Sequence, residues 1–366
     1  MIDLRSDLVA VPTGEMWEAM RKAELGWATV GEDVSVNELC ERVAALLGKE
    51  AATWVPTCGM ANLAAMLTFC DPGDSVVLEA ASHVLTSEAM GIVEIARLEP
   101  SPLWAHDGRM DPTAVAMLVK GRKARLLILE NTHTRAGGTT LSVELTQALA
   151  AAAKRHHCRV HLDGARLVNA SVALGVPLAD LAAPANSVAL SLNKGLSAPM
   201  GTVLAGSGQV VERARLMLQR LGGATVHRAG IAAAAGLVAL ETMVERVADD
   251  HRRARDLGRL LAAIPGVKLR PEVIETNIVL ADVAETGIEP AELVALLEAG
   301  GLRVMERDTS RVRLVTHRLI GDEEIERAAA VFGGIIDRHS VPPLVLPEID
   351  LSELGLEPED VSTEST

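Results

Sequence analysis

Apolar residues recur along this chain in two rhythms. Short runs such as Val76-Val77-Leu78, Leu126-Leu127-Ile128-Leu129, Val160-His161-Leu162 and Val188-Ala189-Leu190 have the length and branched content of buried strands. Between them lie Ala-rich stretches with helical spacing, over residues 60–69, 112–118 and 143–155. Two more helices are predicted ahead of these, over 15–25 and 37–47. The alternation predicts an α/β fold, a mainly parallel sheet covered by helices, with ligands bound beyond the carboxyl ends of the strands. A long helical stretch follows over 231–261. Strands at 267–269, 277–281 and 312–315 and helices at 290–299 and 322–336 then predict a smaller α+β unit.

This pattern suggests four parts. Residues 1–14 form an N-terminal segment, 15–240 a large domain and 241–338 a small C-terminal domain. Residues 339–366 form an acidic tail, expected to be mobile, with one short amphipathic helix over 349–356. The formal net charge of −14 argues against nucleic acid or an anionic membrane as partner. Half of that charge lies between Ser340 and Thr366, which hold seven acids and no Lys or Arg. The balance of 49% apolar and 23% charged residues is that of a soluble globular protein. Its four cysteines have no disulfide or zinc spacing, no run is long enough to cross a membrane, and the first residues lack signal-peptide character. These features predict a cytoplasmic protein. There is no Tyr, so a stacked cofactor ring needs His, Trp or Phe.

Six places carry candidate chemistry. Lys194 follows an apolar strand and precedes Gly195; such a lysine loses its charge readily and can form an imine with an aldehyde, or is a surface lysine in a turn. Asp163 closes the run 160–162, where its carboxylate can face a pyridine nitrogen or cap the next helix. About 30 residues separate the two, the order expected when acid and lysine serve one pyridoxal phosphate. Thr57-Cys58-Gly59-Met60 opens a helix whose N–H groups can hold a phosphate. His83 lies shortly after a strand and suits ring stacking or a structural role. Glu130-Asn131-Thr132-His133 is a strand-end cluster or a polar turn. Arg313, alternating into a strand, can grip a carboxylate or face solvent.

Together these segments resemble the L-threonine aldolases of the low-specificity type, in the β-eliminating lyase group of pyridoxal-phosphate (PLP) enzymes. The resemblance runs in matching order from Asp3 to about Ile336. It includes Asp3-Leu4-Arg5-Ser6-Asp7, Gly31-Glu32-Asp33, Met60-Ala61-Asn62, Glu130-Asn131-Thr132-His133, His161-Leu162-Asp163-Gly164-Ala165-Arg166, Lys194-Gly195-Leu196 and Leu314-Val315-Thr316-His317. It implies fold type I, the aspartate-aminotransferase-like fold, with a seven-stranded sheet. It also implies pyridoxal 5'-phosphate as cofactor and cleavage of a β-hydroxy-α-amino acid to glycine and an aldehyde. Lys194 is then the Schiff-base lysine, Asp163 the ring acid, and His83 the stacking residue that serves or assists the base. His133 is placed near the β-substituent. Ser6, Arg166 and Arg313 hold the substrate carboxylate, with Arg166 also near the ring hydroxyl. Cys58, Gly59, Met60 and Arg220 face the phosphate. A homodimer or homotetramer with shared sites is implied as well. The departures are Thr57-Cys58-Gly59 where Ser-Gly-Thr is usual, Asn193 for Ser, Thr134 for Asn, and an altered loop over 221–230. β-Elimination or racemisation of a related amino acid is the alternative chemistry. A non-catalytic relative and a nucleotide-binding protein are other classes; the first strand has no glycine fingerprint after it.

Overall fold

The computed structural model describes residues 1–339. Both readings of the tail beyond Ser340, its mobility and its helix, lie outside the described residues. Seven strands form the main sheet: β1 (Ala51–Val55), β2 (Ser75–Glu79), β3 (Glu99–Leu103), β4 (Leu126–Glu130), β5 (Arg159–Gly164), β6 (Ser187–Ser191) and β7 (Thr202–Gly206). Their spatial order is β1-β7-β6-β5-β4-β2-β3. β3, β2, β4, β5 and β6 run parallel, and β7 runs antiparallel to both its neighbours. All five residues of β2, β4, β6 and β7 are buried, and the centres of β2, β4 and β6 read as unbroken apolar runs rather than alternating ones.

Three sheet strands escaped the pattern. β3, with the sequence Glu-Pro-Ser-Pro-Leu, is an edge strand bonded only to β2, where Pro100 and Pro102 can lack an amide donor. β1 and β7 are short Ala- and Thr-containing stretches whose strand character comes from pairing with each other. The stretch over 231–261 divides into two helices, Gly230–Thr242 and Val247–Ala262. The strand expected over 267–269 reduces to a single bridge between Lys268 and Asp282.

The smaller sheet holds β8 (Ile278–Asp282), β9 (Met305–Glu306) and β10 (Arg311–Val315), antiparallel in the order β9-β10-β8. Helices Pro290–Ala299 and Asp322–His339 cover it around Phe332. The N-terminal residues join this unit. Ile2–Asp3 pairs in parallel with Leu302–Arg303, and Ile2 and Leu4 enter its core. Helix Val247–Ala262 links the two cores: Val247 packs in the large one, Leu257 and Leu261 in the small one. The segment from Arg5 to Asp7 is thereby held between the domains, against β5 and β10. No described helix is long and apolar enough to cross a membrane.

Candidate active site

The carboxyl ends of β2, β4, β5 and β6 point to one crevice, and Asp163 lies at its floor. This carboxylate is 1% exposed. It accepts hydrogen bonds from Asn62 Nδ2 (2.9 Å), the Ala165 amide (3.0 Å) and Cys58 Sγ (3.5 Å). All three donors are neutral. Burial, with Asp163 adding to it, pushes the Cys58 thiol well up, so the thiol keeps its proton and donates it. Among the described residues no cation pairs with Asp163. A buried carboxylate in that condition needs a positive partner.

Asn62 organises the floor. Its other amide contact is Glu88 Oε1 (2.9 Å), and its Oδ1 lies 3.0 Å from His161 Nε2. His161 Nδ1 in turn meets Ser187 Oγ at 2.8 Å. Burial pushes His161 down to about 4, so its ring is neutral and donates to Asn62 through Nε2. Glu88 also holds His83 Nδ1 at 3.1 Å. That bond raises the His83 pKa above its ordinary value, against the opposing effect of burial. His83 Nε2 is left free of protein partners among the described residues. His83, Glu88 and Asp163 face one another within 4.8 Å.

Glu130 ties two catalytic turns together. Its carboxylate accepts the amides of His83 (2.7 Å) and Thr134 (2.8 Å). His133 lies in the same turn. It is 2% exposed, its Nε2 is bound to Glu79 (2.9 Å), and its Nδ1 accepts the Ala136 amide (3.2 Å). Burial opposes charge on His133, but Glu130 and Glu79 outweigh it and raise its pKa. Both ring nitrogens therefore have partners inside the protein.

The expected carboxylate clamp comprises Arg166, Ser6 and Arg313. Arg166 is paired with an acid: Nε and Nη2 each donate to Asp7 at 2.7 Å, and Nη1 donates to Thr134 Oγ1 at 3.0 Å, which leaves two of its five N–H groups without a partner among the described residues. Ser6 borders this pair, accepting the Leu8 amide at 3.2 Å and approaching Asp7 at 3.4 Å. Arg313 does have donors to spare. Nη2 donates to the Arg5 carbonyl (3.0 Å), while Nε is buried without a partner. Burial and the neighbouring Arg166 bring its pKa down to about 10. Arg220 is exposed at the end of helix Gly208–Arg220 and turns its Nη1 to Met217 Sδ (3.5 Å).

Sequence reasoning did not single out Asp7, Asn62, Glu79 or Glu88 as site residues. Asp7 and Asn62 stood within quoted motifs, which was a usable signal. Glu79 and Glu88 carried none beyond lying near His83.

The residues present fit pyridoxal 5'-phosphate. Lys194, half-buried after β6, pairs with no acid among the described residues. Asp163 lacks a cation and could take a protonated ring nitrogen. Helix Cys58–Phe69 starts at the same floor, its Thr57 cap accepting the Met60 amide at 3.2 Å and leaving the Cys58 and Gly59 amides free.

Known proteins share this sequence and fold. The family model described as beta-eliminating lyase matches residues 3–286. Low-specificity L-threonine aldolase 1 of Arabidopsis thaliana is 37% identical over 341 residues, covering 90% of this chain and 95% of that protein. The fold is that of Leishmania major threonine aldolase, with a TM-score of 0.78 at 17% identity over 92% of this chain and 100% of that one. An aspartate aminotransferase from Rhodobacter sphaeroides shares it at a TM-score of 0.72 and 21% identity, with 92% of both chains covered. The chain is a pyridoxal-phosphate-dependent lyase of fold type I and belongs to the beta-eliminating lyase family, alongside the low-specificity L-threonine aldolases.

Proposed function

We propose that this enzyme cleaves threonine or a related β-hydroxy-α-amino acid to glycine and an aldehyde, with Lys194 as the cofactor lysine. The observation that carries the site assignment is Asp163, a buried carboxylate supplied only with neutral donors, across the crevice from an unpaired lysine. Bound pyridoxal 5'-phosphate supplies a ring that withdraws electrons from the substrate's Cα. Asp163 would face the ring nitrogen, and Asn62 and Cys58 aim its carboxylate. The amides of Cys58 and Gly59 hold phosphate at the helix start. Arg313 binds the substrate carboxylate through its spare donors and so fixes which bond at Cα stands ready to break. Arg166 positions this site by locking Asp7 and Thr134.

The base is His83. Glu88 holds the proton on Nδ1, which leaves Nε2 to accept the proton of the β-hydroxyl. The Cα–Cβ bond then breaks and the aldehyde departs. His133, sealed between Glu79 and the Ala136 amide, braces the turn instead. Assembly as a homodimer or homotetramer belongs to the same reading, since Leu25, Trp27, Val30 and Val34 leave apolar side chains exposed on one segment. So does a cytoplasmic location, which suits four free cysteines.

The test is Lys194→Ala. The purified wild type is expected to show imine absorbance and to release glycine with acetaldehyde from threonine; the variant loses both. Keto acid and ammonia in place of glycine would overturn the aldol reading in favour of β-elimination.

A further inference from the structure

Beside the reaction site, between the two domains, lies a cleft of about 690 Å³ with His133 in its wall. Arg135 enters it from the turn after β4, and Arg307 from the turn between β9 and β10. Arg307 forks onto the Arg135 carbonyl through Nε (3.2 Å) and Nη2 (2.7 Å). Arg135 Nη2 lies 3.5 Å from Ser87 Oγ, one residue before the Glu88 that holds His83. Arg135 is thus held against the turn that carries Glu88, and both cations lie near enough to Arg313 to lower its pKa.

The acids of the cleft are already committed. Glu79 is bound by His133, Asp107 and Glu275 by Arg109, and the adjacent Asp308 by Arg311. Glu272 and Arg270 are both exposed at the rim and offset each other in charge. Among the described residues, Arg135, Arg307 and Arg313 have no ion-pair partner. Three half-buried cations repel one another, and burial and Arg135 lower the pKa of Arg307. One α-carboxylate on Arg313 neutralises only one of the three.

We propose that the cleft receives a second carboxylate, carried on the substrate's β-substituent, between Arg135 and Arg307. The preferred substrate class is then a β-hydroxy-α-amino diacid. This rests on the aldol reading above. For β-hydroxyaspartate the hydroxyl proton leaves to the base and the Cα–Cβ bond breaks. Its electron pair stays with Cα, which is reprotonated, and the products are glycine and glyoxylate. β-Hydroxyglutamate, one carbon longer, yields glycine and malonate semialdehyde. Two guanidiniums recognise the carboxylate through charge-assisted bonds.

The experiment compares threonine, β-hydroxyaspartate and β-hydroxyglutamate with the holoenzyme and with the Arg135→Ala/Arg307→Ala double variant, reading glycine. In the wild type, kcat/KM for at least one diacid is expected to exceed that for threonine. In the double variant the ratio of that diacid to threonine falls at least tenfold, mainly through KM. Succinate is expected to compete with threonine in the wild type and to lose at least tenfold in affinity in the variant. A wild-type preference for threonine over both diacids overturns the proposal, and so does a smaller fall in the ratio. Should the variant fail to fold, the wild-type preference and succinate competition decide alone. Absence of glycine from all three substrates would instead overturn the aldol reading, and this proposal with it.

Discussion

Asp7→Asn isolates the buried pair that joins the N-terminal segment to the catalytic floor. Asp7 is fully buried, and the Arg166 side chain is 4% exposed. Two bonds of 2.7 Å join them, and Asn277 Nδ2 adds a third to Asp7 at 3.2 Å. The amide keeps the shape of the carboxylate but removes its charge, and turns an N–H₂ toward one guanidinium donor. Arg166 cannot neutralise itself, so a cation stays buried without its counter-ion. Removing one partner of such a pair costs about 3–5 kcal/mol. With a urea dependence of about 3 kcal/mol per molar, the unfolding midpoint should fall by about 1 M or more. The measurement is urea unfolding of wild type and variant at one protein concentration. Glu18→Gln is the control: it breaks a contact of the same 2.7 Å to Arg21, but on the open surface, and should leave the midpoint in place. The pH dependence adds a sign. Burial opposes ionisation of Asp7, yet Arg166 outweighs it and holds the carboxyl well below the usual range. Its contribution is therefore complete above an unfolded pKa of about 4 and is lost as pH falls through the folded value. The gap between wild type and Asp7→Asn should narrow below about pH 4. A midpoint shift no larger than that of Glu18→Gln, or a gap that widens in acid, would refute the assignment of this pair.

Two other substitutions probe the site. Glu88→Gln removes the charge that raises the His83 pKa, so the acid limb of the kcat/KM profile should move to lower pH; an unmoved limb means that His83 is not the base. Gly108→Ala meets two obstacles, a φ of +78° and a Cβ 2.5 Å from the His133 ring. It should destabilise the enzyme by roughly 1–3 kcal/mol or more in thermal unfolding and displace His133 from Glu79, and a melting curve like that of the wild type would contradict the packing described.

Much of this enzyme is written locally. Lys194 and Asp163 each stand at the end of a short apolar run, and a run that ends on a polar group marks the mouth of a parallel sheet. The helices at 60–69, 143–155 and 290–299 likewise follow from spacing that one turn of chain can express. By contrast, edge strand β3 carries two prolines and reads as a loop until β2 lies beside it. The partners that redefined site residues are also distant in sequence: Asp7 from Arg166, Glu79 from His133, Arg307 from Arg135. Periodicity says which face of an element is buried, but not which other face meets it. From sequence, His133 was a candidate near the substrate and Arg166 one member of a carboxylate clamp with Ser6 and Arg313. Packing brought Glu79 to one and Asp7 to the other, and a buried charged donor binds the acid that desolvation leaves within reach. The sequence by itself thus marked the four central strands and the candidate lysine and ring acid, because these depend on neighbours along the chain. Only the tertiary structure decided which histidine keeps a free nitrogen and which arginines keep free donors, because those depend on partners that folding brings from elsewhere.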